Sequence, residues 1–264
     1  MSKTINMSKD LNLKKGLPYL IAVIFFFVLS LAYFPDVLEN ERIAQHDNLT
    51  FAGMSREVAD YREETGKEPL WTNSMFGGMP AYLISTQYEG NIISTLRHIF
   101  QLGPRPVSFL FLYLLGFYIL LIALRVNPWL AIVGSIASVF SSYNFSITAA
   151  GHHSKAIAIG YMAPVIAGIL LTFRGRRFMG MTITGFFLSL QLFAGHPQIT
   201  YYTLIMVIIL GLFQLYYAFR EKYFRELMIC VGILAIGAVL SVATNASRLW
   251  TTWEYGQYSM RSPS

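Results

Sequence analysis

Three short runs in this chain carry side chains that could move protons or hold phosphate: His46-Asp47, Gly151-His152-His153-Ser154-Lys155 and Gly195-His196-Pro197-Gln198. A carboxylate near a membrane surface can take a proton from an incoming hydroxyl or bind a divalent ion, and partial desolvation makes it more basic. That role falls to Asp47. Its plainer alternative is a helix N-cap, because Asp47-Asn48 stands where a helix can begin. Neutral imidazoles at His152, His153 and His196 can shuttle protons or ligate metal, and the Lys155 ammonium can neutralise a phosphate as a point charge. Two adjacent histidines lack the i, i+4 spacing of a helical zinc pair, so no metal is demanded, and a divalent ion would rest on Asp47. Arg97 and Arg105 are further phosphate ligands or interfacial anchors. Trp71 could stack on a sugar ring or belong to an aromatic belt.

All of these residues lie beside or between long apolar runs. With 55% hydrophobic, 15% aromatic and only 13% charged residues among 264, the composition is that of an integral membrane protein rather than a soluble domain. A span needs about 20 mostly apolar residues, or roughly 17 when flanking groups snorkel. About seven runs qualify: Leu17–Phe34, Val107–Leu124, Pro128–Ile147, Ala156–Phe173, Met179–Ala194, Ile199–Phe219 and Leu227–Val242. The third is the weakest, because Ser141-Ser142-Tyr143-Asn144 interrupts it. The expected fold is an all-α polytopic helix bundle with a long, partly helical first extracytoplasmic loop.

Orientation follows from Lys and Arg in the short connections. Lys3, Lys9, Lys14 and Lys15 precede the first span, and Arg125, Arg174, Arg176, Arg177, Arg220, Lys222 and Arg225 lie in later loops of the same side. These eleven basic residues face only Asp10, Glu221 and Glu226, so that side and the N-terminus are expected in the cytoplasm. The 71 residues from Asp36 to Pro106, with ten acidic and six basic side chains, fall on the other side, as do all three histidine runs. The net charge of +6 is thus mostly positive-inside bias and gives no sign of nucleic-acid binding. The first apolar run is longer than the roughly 7–15 residues of a secretory signal core and no small-x-small site follows it, so it reads as an uncleaved anchor. Cys230 is the only cysteine, which leaves no disulfide or cysteine metal site within the chain.

The expected order is a basic leader over 1–16, a first span over 17–34, an extracytoplasmic loop over 35–106, a bundle of about six spans over 107–242 and an outer segment over 243–264. Within the loop, a helix is expected from Asp47 to about Glu64, stopped by Gly66 and Pro69. The run Trp71-Thr72-Asn73-Ser74-Met75-Phe76-Gly77-Gly78-Met79-Pro80 demands turns, and a second helical stretch follows near Tyr82–Phe100. The polar close suggests the N-terminal piece of a longer protein.

Taken together, Asp47 in the first outer loop, Pro69-Leu70-Trp71, Phe76-Gly77-Gly78-Met79-Pro80, Gly151-His152-His153-Ser154-Lys155 and Ala194-Gly195-His196-Pro197-Gln198 resemble the YfhO-like bacterial membrane proteins. The likeness covers about residues 17–264 and matches only the N-terminal part of a normally longer family. It implies a GT-C-type glycosyltransferase architecture in the bacterial cytoplasmic (inner) membrane. Such enzymes take sugar from a polyprenyl-phosphate donor on the outer face and pass it to an acceptor, here an envelope glycan or glycopolymer. In that superfamily an acidic residue of the first outer loop acts as base or metal partner, and Asp47 is the matching position. His46-Asp47 stands where a paired acidic motif is common, which leaves the need for a metal open. Donor-phosphate roles for Lys155, Arg97 and Arg105, and contacts from His152, His153, His196 and Trp71, are inferences from their chemistry. A transporter or flippase of a lipid-linked or small polar substrate, and a non-catalytic envelope scaffold, are the competing classes. A one-sided rim of polar groups with few ionisable residues in the spans favours surface chemistry over translocation.

Overall fold

Backbone N–H and C=O groups in hydrocarbon find no water, so an apolar run must satisfy them internally and becomes a helix. The computed structural model describes residues 13–39, 45–85 and 90–258. Lys3, Lys9 and Asp10 of the leader, the side chains of Lys14, Lys15 and His46, and residues 259–264 lie outside that description. The helices are α1 (Leu13–Tyr33), α2 (His46–Thr65), α3 (Ile92–Phe100), α4 (Val107–Ala123), α5 (Pro128–Val139), α6 (Ser142–Ala150), α7 (His153–Phe173), α8 (Arg177–Ala194), α9 (Pro197–Arg220), α10 (Phe224–Ala243) and α11 (Ala246–Gly256). A two-residue hairpin, β1 (Trp71–Thr72) and β2 (Met79–Pro80), pairs antiparallel with Trp71 opposite Pro80.

Among the described residues α1, α7, α8, α9 and α10 are each long and apolar enough to cross a membrane. The expected third span is broken, with α5 and α6 meeting at a bend of 58° and making a sixth crossing only when taken together. The break falls at Phe140-Ser141, at the edge of the polar run that weakened this segment, and Asn144 Nδ2 donates to Val139 O (2.9 Å) across it. The run expected as a second span, Val107–Leu124, is the apolar helix α4, whose 17 residues make it shorter than the helices that qualify as crossings. Its first half is enclosed by the rest of the protein: every residue from Val107 to Leu114 is at most 5% exposed.

Two close approaches set the bundle. Gly116 of α4 faces Gly160 and Pro164 of α7, and a Cβ there would lie 2.5 Å from Gly160 O. Gly168 of α7 and Gly180 of α8 face each other, with Thr172 and Thr184 filling the flanks; a Cβ on Gly168 would meet Thr184 N at 2.5 Å. Small residues at such a crossing let backbones approach without an apolar driving force, which lipid tails do not supply. Because Gln191 Nε2 of α8 donates to Ala158 O of α7 (3.0 Å), the end of α8 is held level with the start of α7.

The segment between α1 and α4 departs most from expectation. α2 ends as foreseen at Gly66, in the left-handed region at φ 65°, with its N–H on Arg62 O (2.9 Å). Its start differs: the N-cap is Gln45, so Asp47 is a first-turn residue rather than the cap. The stretch read as one helix near Tyr82–Phe100 is a 3-10 turn at Ala81–Leu83 followed by α3, with residues 86–89 outside the described set. Asn91 caps α3 by accepting from Ile93 N (2.9 Å). The far end of α3 packs into the bundle, Phe100 lying 5.0 Å from Phe187 ring to ring and Gln101 Nε2 donating to Tyr161 Oη (3.3 Å).

The α7–α8 contact yields a direct test. Gly180→Ala should lower stability in detergent by about 1–3 kcal/mol, the usual cost of forcing extra volume into a packed contact. Gly232→Ala, on an open face of α10 with nothing near a new Cβ, should leave the melting temperature unchanged or slightly raised. Equal effects at both sites would contradict the packing.

Candidate functional site

The site forms where α2, α6, α7, α8 and the approach to α4 converge. Gly151 closes α6 in the left-handed conformation at φ 85°, which turns the chain so that His152 and His153 open α7. The glycine serves a second need. A Cβ at 151 would lie 3.0 Å from Gln45 Cβ and 3.4 Å from Asp47 Cβ, so its absence lets the start of α2 settle against the turn. Gln45, only 5% exposed, then donates from Nε2 to Thr148 O and accepts at Oε1 from Asn48 Nδ2.

Asp47 and His152 meet across this junction, Oδ2 to Nδ1, at 2.6 Å. Both side chains are about half exposed, 45% and 49%, so the pair is open to a substrate from solvent or lipid. A carboxylate on Nδ1 fixes the imidazole's orientation and leaves Nε2 as its available basic atom, the arrangement by which acid–base pairs activate hydroxyl groups. His153 faces inward instead. Its Nε2 lies 2.9 Å from Gln45 Oε1 and 3.3 Å from Asn48 Nδ2, its Nδ1 lies 3.1 Å from an Arg105 guanidinium nitrogen, and its ring packs on Phe109 at 5.0 Å. His153 therefore positions the junction.

Cations lie at the same end of the bundle as the pair. Burial, with the Arg97 charge adding to it, pushes the Arg105 guanidinium below its ordinary value. Lys155 extends its ammonium over the Tyr143 ring, 5.4 Å from the centroid. Arg97 stacks 5.5 Å from the Phe193 centroid, and its Nε is buried without a hydrogen-bond partner. His196 is the N-cap residue of α9, and its Nδ1 is also buried and unpartnered. Burial first, then the charges of Lys155 and His152, hold the His196 imidazole below its usual value of 6.5. Six of the eight residues singled out from the sequence thus share this end with Asp47: Arg97, Arg105, His152, His153, Lys155 and His196.

Trp71 does not join them. It lies on β1, 55% exposed, with Nε1 donating to Asn73 Oδ1 (3.2 Å). The hairpin is tied to the middle of α2, where Glu57 Oε2 accepts from Thr72 Oγ1 and from Asn73 N and Ser74 N (2.9 Å each). These bonds, led by the Thr72 hydroxyl, hold the Glu57 carboxyl below its ordinary 4.5. Glu57 is ten residues beyond Asp47, roughly 15 Å along the helix axis.

Two participants escaped the sequence reading. Gln45 carries no chemistry of its own but ties α2 to α6 and α7. Arg248 of α11 donates to Phe193 O, lies 5.8 Å from the same ring as Arg97 and covers Gly195, where a Cβ would meet its guanidinium. Nothing in the local sequence around Arg248 set it apart from the other basic residues expected on that side. Among the described residues no three His, Cys, Asp or Glu side chains converge. The donor set of Asp47 and His152, already bonded to each other, does not make a divalent-ion site, and no step is routed through one. Comparisons with protein-family models, curated proteins and solved structures gave no match.

The depressed His196 value sets a pH dependence. The unfolded chain takes up this proton as pH falls through about 6.5 while the folded protein resists it, so stability falls on acidification. The melting temperature in detergent should drop between about pH 8 and about pH 5.5, and His196→Asn should flatten that drop. An identical pH dependence in wild type and variant would contradict it.

Proposed function

We propose that this protein is a membrane glycosyltransferase that moves a sugar from a polyprenyl-phosphate donor to a cell-envelope acceptor on the outer face of the bacterial cytoplasmic membrane. The observation that carries the reading is the 2.6 Å Asp47–His152 contact set among fixed cations at one end of an apolar bundle. The acceptor hydroxyl gives its proton to this pair as its oxygen bonds to the sugar's anomeric carbon. The bond from that carbon to the donor phosphate breaks, and its electrons leave on the phosphate oxygen. Lys155, Arg97 and Arg105 are the groups whose charge would offset that anion, and fixed charges count for more where water is excluded. Asp47 activates the acceptor by accepting from His152 Nδ1 and keeping Nε2 aimed outward.

Purified protein supplied with a short-chain polyprenyl-phosphate hexose and envelope glycan fragments should transfer sugar. Asp47→Asn and His152→Gln should each retain donor binding while losing turnover by about 10²–10⁴-fold, the usual worth of a positioned acid–base group. The double variant should be little worse than either single one, because the two act as a unit. Full turnover in Asp47→Asn would remove the pair from the reaction.

The broken α5–α6 segment favours a second reading, translocation of a lipid-linked substrate, because discontinuous helices line many transporter sites. Sealed vesicles separate the two: a substrate that crosses unchanged supports transport, whereas a new glycosidic bond without crossing supports transfer.

A further inference from the structure

Helix α11, in the closing segment whose tryptophans could stack on sugar rings or belong to an aromatic belt, carries a close, tilted tryptophan pair. The Trp250 and Trp253 rings lie 5.3 Å apart and are 63% and 60% exposed, with Leu249 beside them on the same side of the helix. The opposite side of α11 is held to α8 at two points. Asn245 Nδ2, at its N-cap, donates to Ser189 O (3.1 Å), and one turn on Arg248 donates to Phe193 O. Both bonds leave from one side of α11, so that side faces the last turns of α8. At 100° per residue Trp250 then points away from α8, with Trp253 flanking that direction. This is also the side on which α10 leaves Ile236, Val239, Leu240 and Val242 exposed.

We infer that the Leu249–Trp250–Trp253 face of α11 is a lipid-interface anchor, seated among the headgroups of the leaflet at the histidine end. The occupant follows from what adjoins it. The apolar flank of α10 can only be covered by acyl chains if α10 spans the bilayer, and α11 follows α10 at the end where α8 closes at Ala194, with its tryptophans turned away from α8 as that flank is. Indole rings, apolar in body with one polar N–H, favour that boundary over either hydrocarbon or water. The placement does not depend on the proposed reaction. Arg248 joins the tryptophan helix to Phe193, two residues before Gly195 and three before His196, so the anchor also sets the depth of the cation-rich end.

Four tryptophans occur in the chain, and Trp71→Phe/Trp129→Phe leaves only this pair as reporters. The protein is reconstituted in phosphatidylcholine nanodiscs whose acyl chains carry bromine either near the headgroup or near the bilayer centre. Shallow bromines should remove most of the emission and deep bromines much less. Emission unchanged by any brominated lipid would overturn the inference, with iodide quenching then marking a water-facing pair and its absence a pair covered by protein. Strongest quenching by deep bromines would overturn it too. Should the doubly substituted protein fail to fold, the loss of shallow quenching from wild type to Trp250→Phe/Trp253→Phe reads the same quantity.

Discussion

Everything at the histidine end depends on how closely α7 and α8 approach each other. Gly168 and Gly180 remove the two side chains that would hold these helices apart, and Thr172 and Thr184 fill the space that remains. Gln191, wholly buried, then binds Ala158 O and Thr203 Oγ1 and extends the same alignment to α9. With α7 and α8 in register, His153 opens one helix at the level where Gly195 and His196 close the other. The chemistry-bearing turns are separated by about forty residues of chain, but the crossing brings them to one surface.

A second junction brings Asp47 to that surface, and here magnitudes decide which interaction holds it. A half-exposed carboxylate–imidazole pair contributes about 0–1 kcal/mol, so Asp47 and His152 do not hold the loop in place. The buried contacts beside them do. Gln45 is almost fully enclosed and bonded to Thr148, and Gly151, in the left-handed region at φ 85°, leaves room where a Cβ would press on Gln45 at 3.0 Å. Packing at Gln45 and Gly151 therefore supplies position, and the pair above is left free for chemistry. The cations follow the same division: Arg97 and Arg248 share the Phe193 ring, so their location is fixed by packing.

Helix positions were largely legible because bilayer thickness and backbone hydrogen bonding leave a 20-residue apolar run few alternatives. The break in the third span was legible for the converse reason, since Ser141 to Asn144 offer polar groups where hydrocarbon would demand none. What escaped was set by tertiary contact. The inward packing of α3 rests on Phe186, Phe187 and Tyr161, which are remote in sequence. Asp47 fits the N-cap preference well, but α2 starts at His46 with Gln45 as its cap, so the Asp47 carboxylate is left to meet His152. Trp71 was grouped with the site by residue type, but the Glu57 clasp that carries it away from Asp47 depends on a fifteen-residue separation with no local signature.

The central claim is that Asp47 of the first loop and His152 at the head of α7 form one site in the folded protein. Asp47→Cys and His152→Cys, placed together in a Cys230→Ala background, can be treated in membranes with a short bis-methanethiosulfonate reagent and digested for mass spectrometry. The account predicts an efficient intramolecular bridge between the peptides carrying positions 47 and 152, and little bridging when position 47 is paired with a cysteine replacing Trp71. Two thiols that each react singly with the reagent but are never bridged would contradict it.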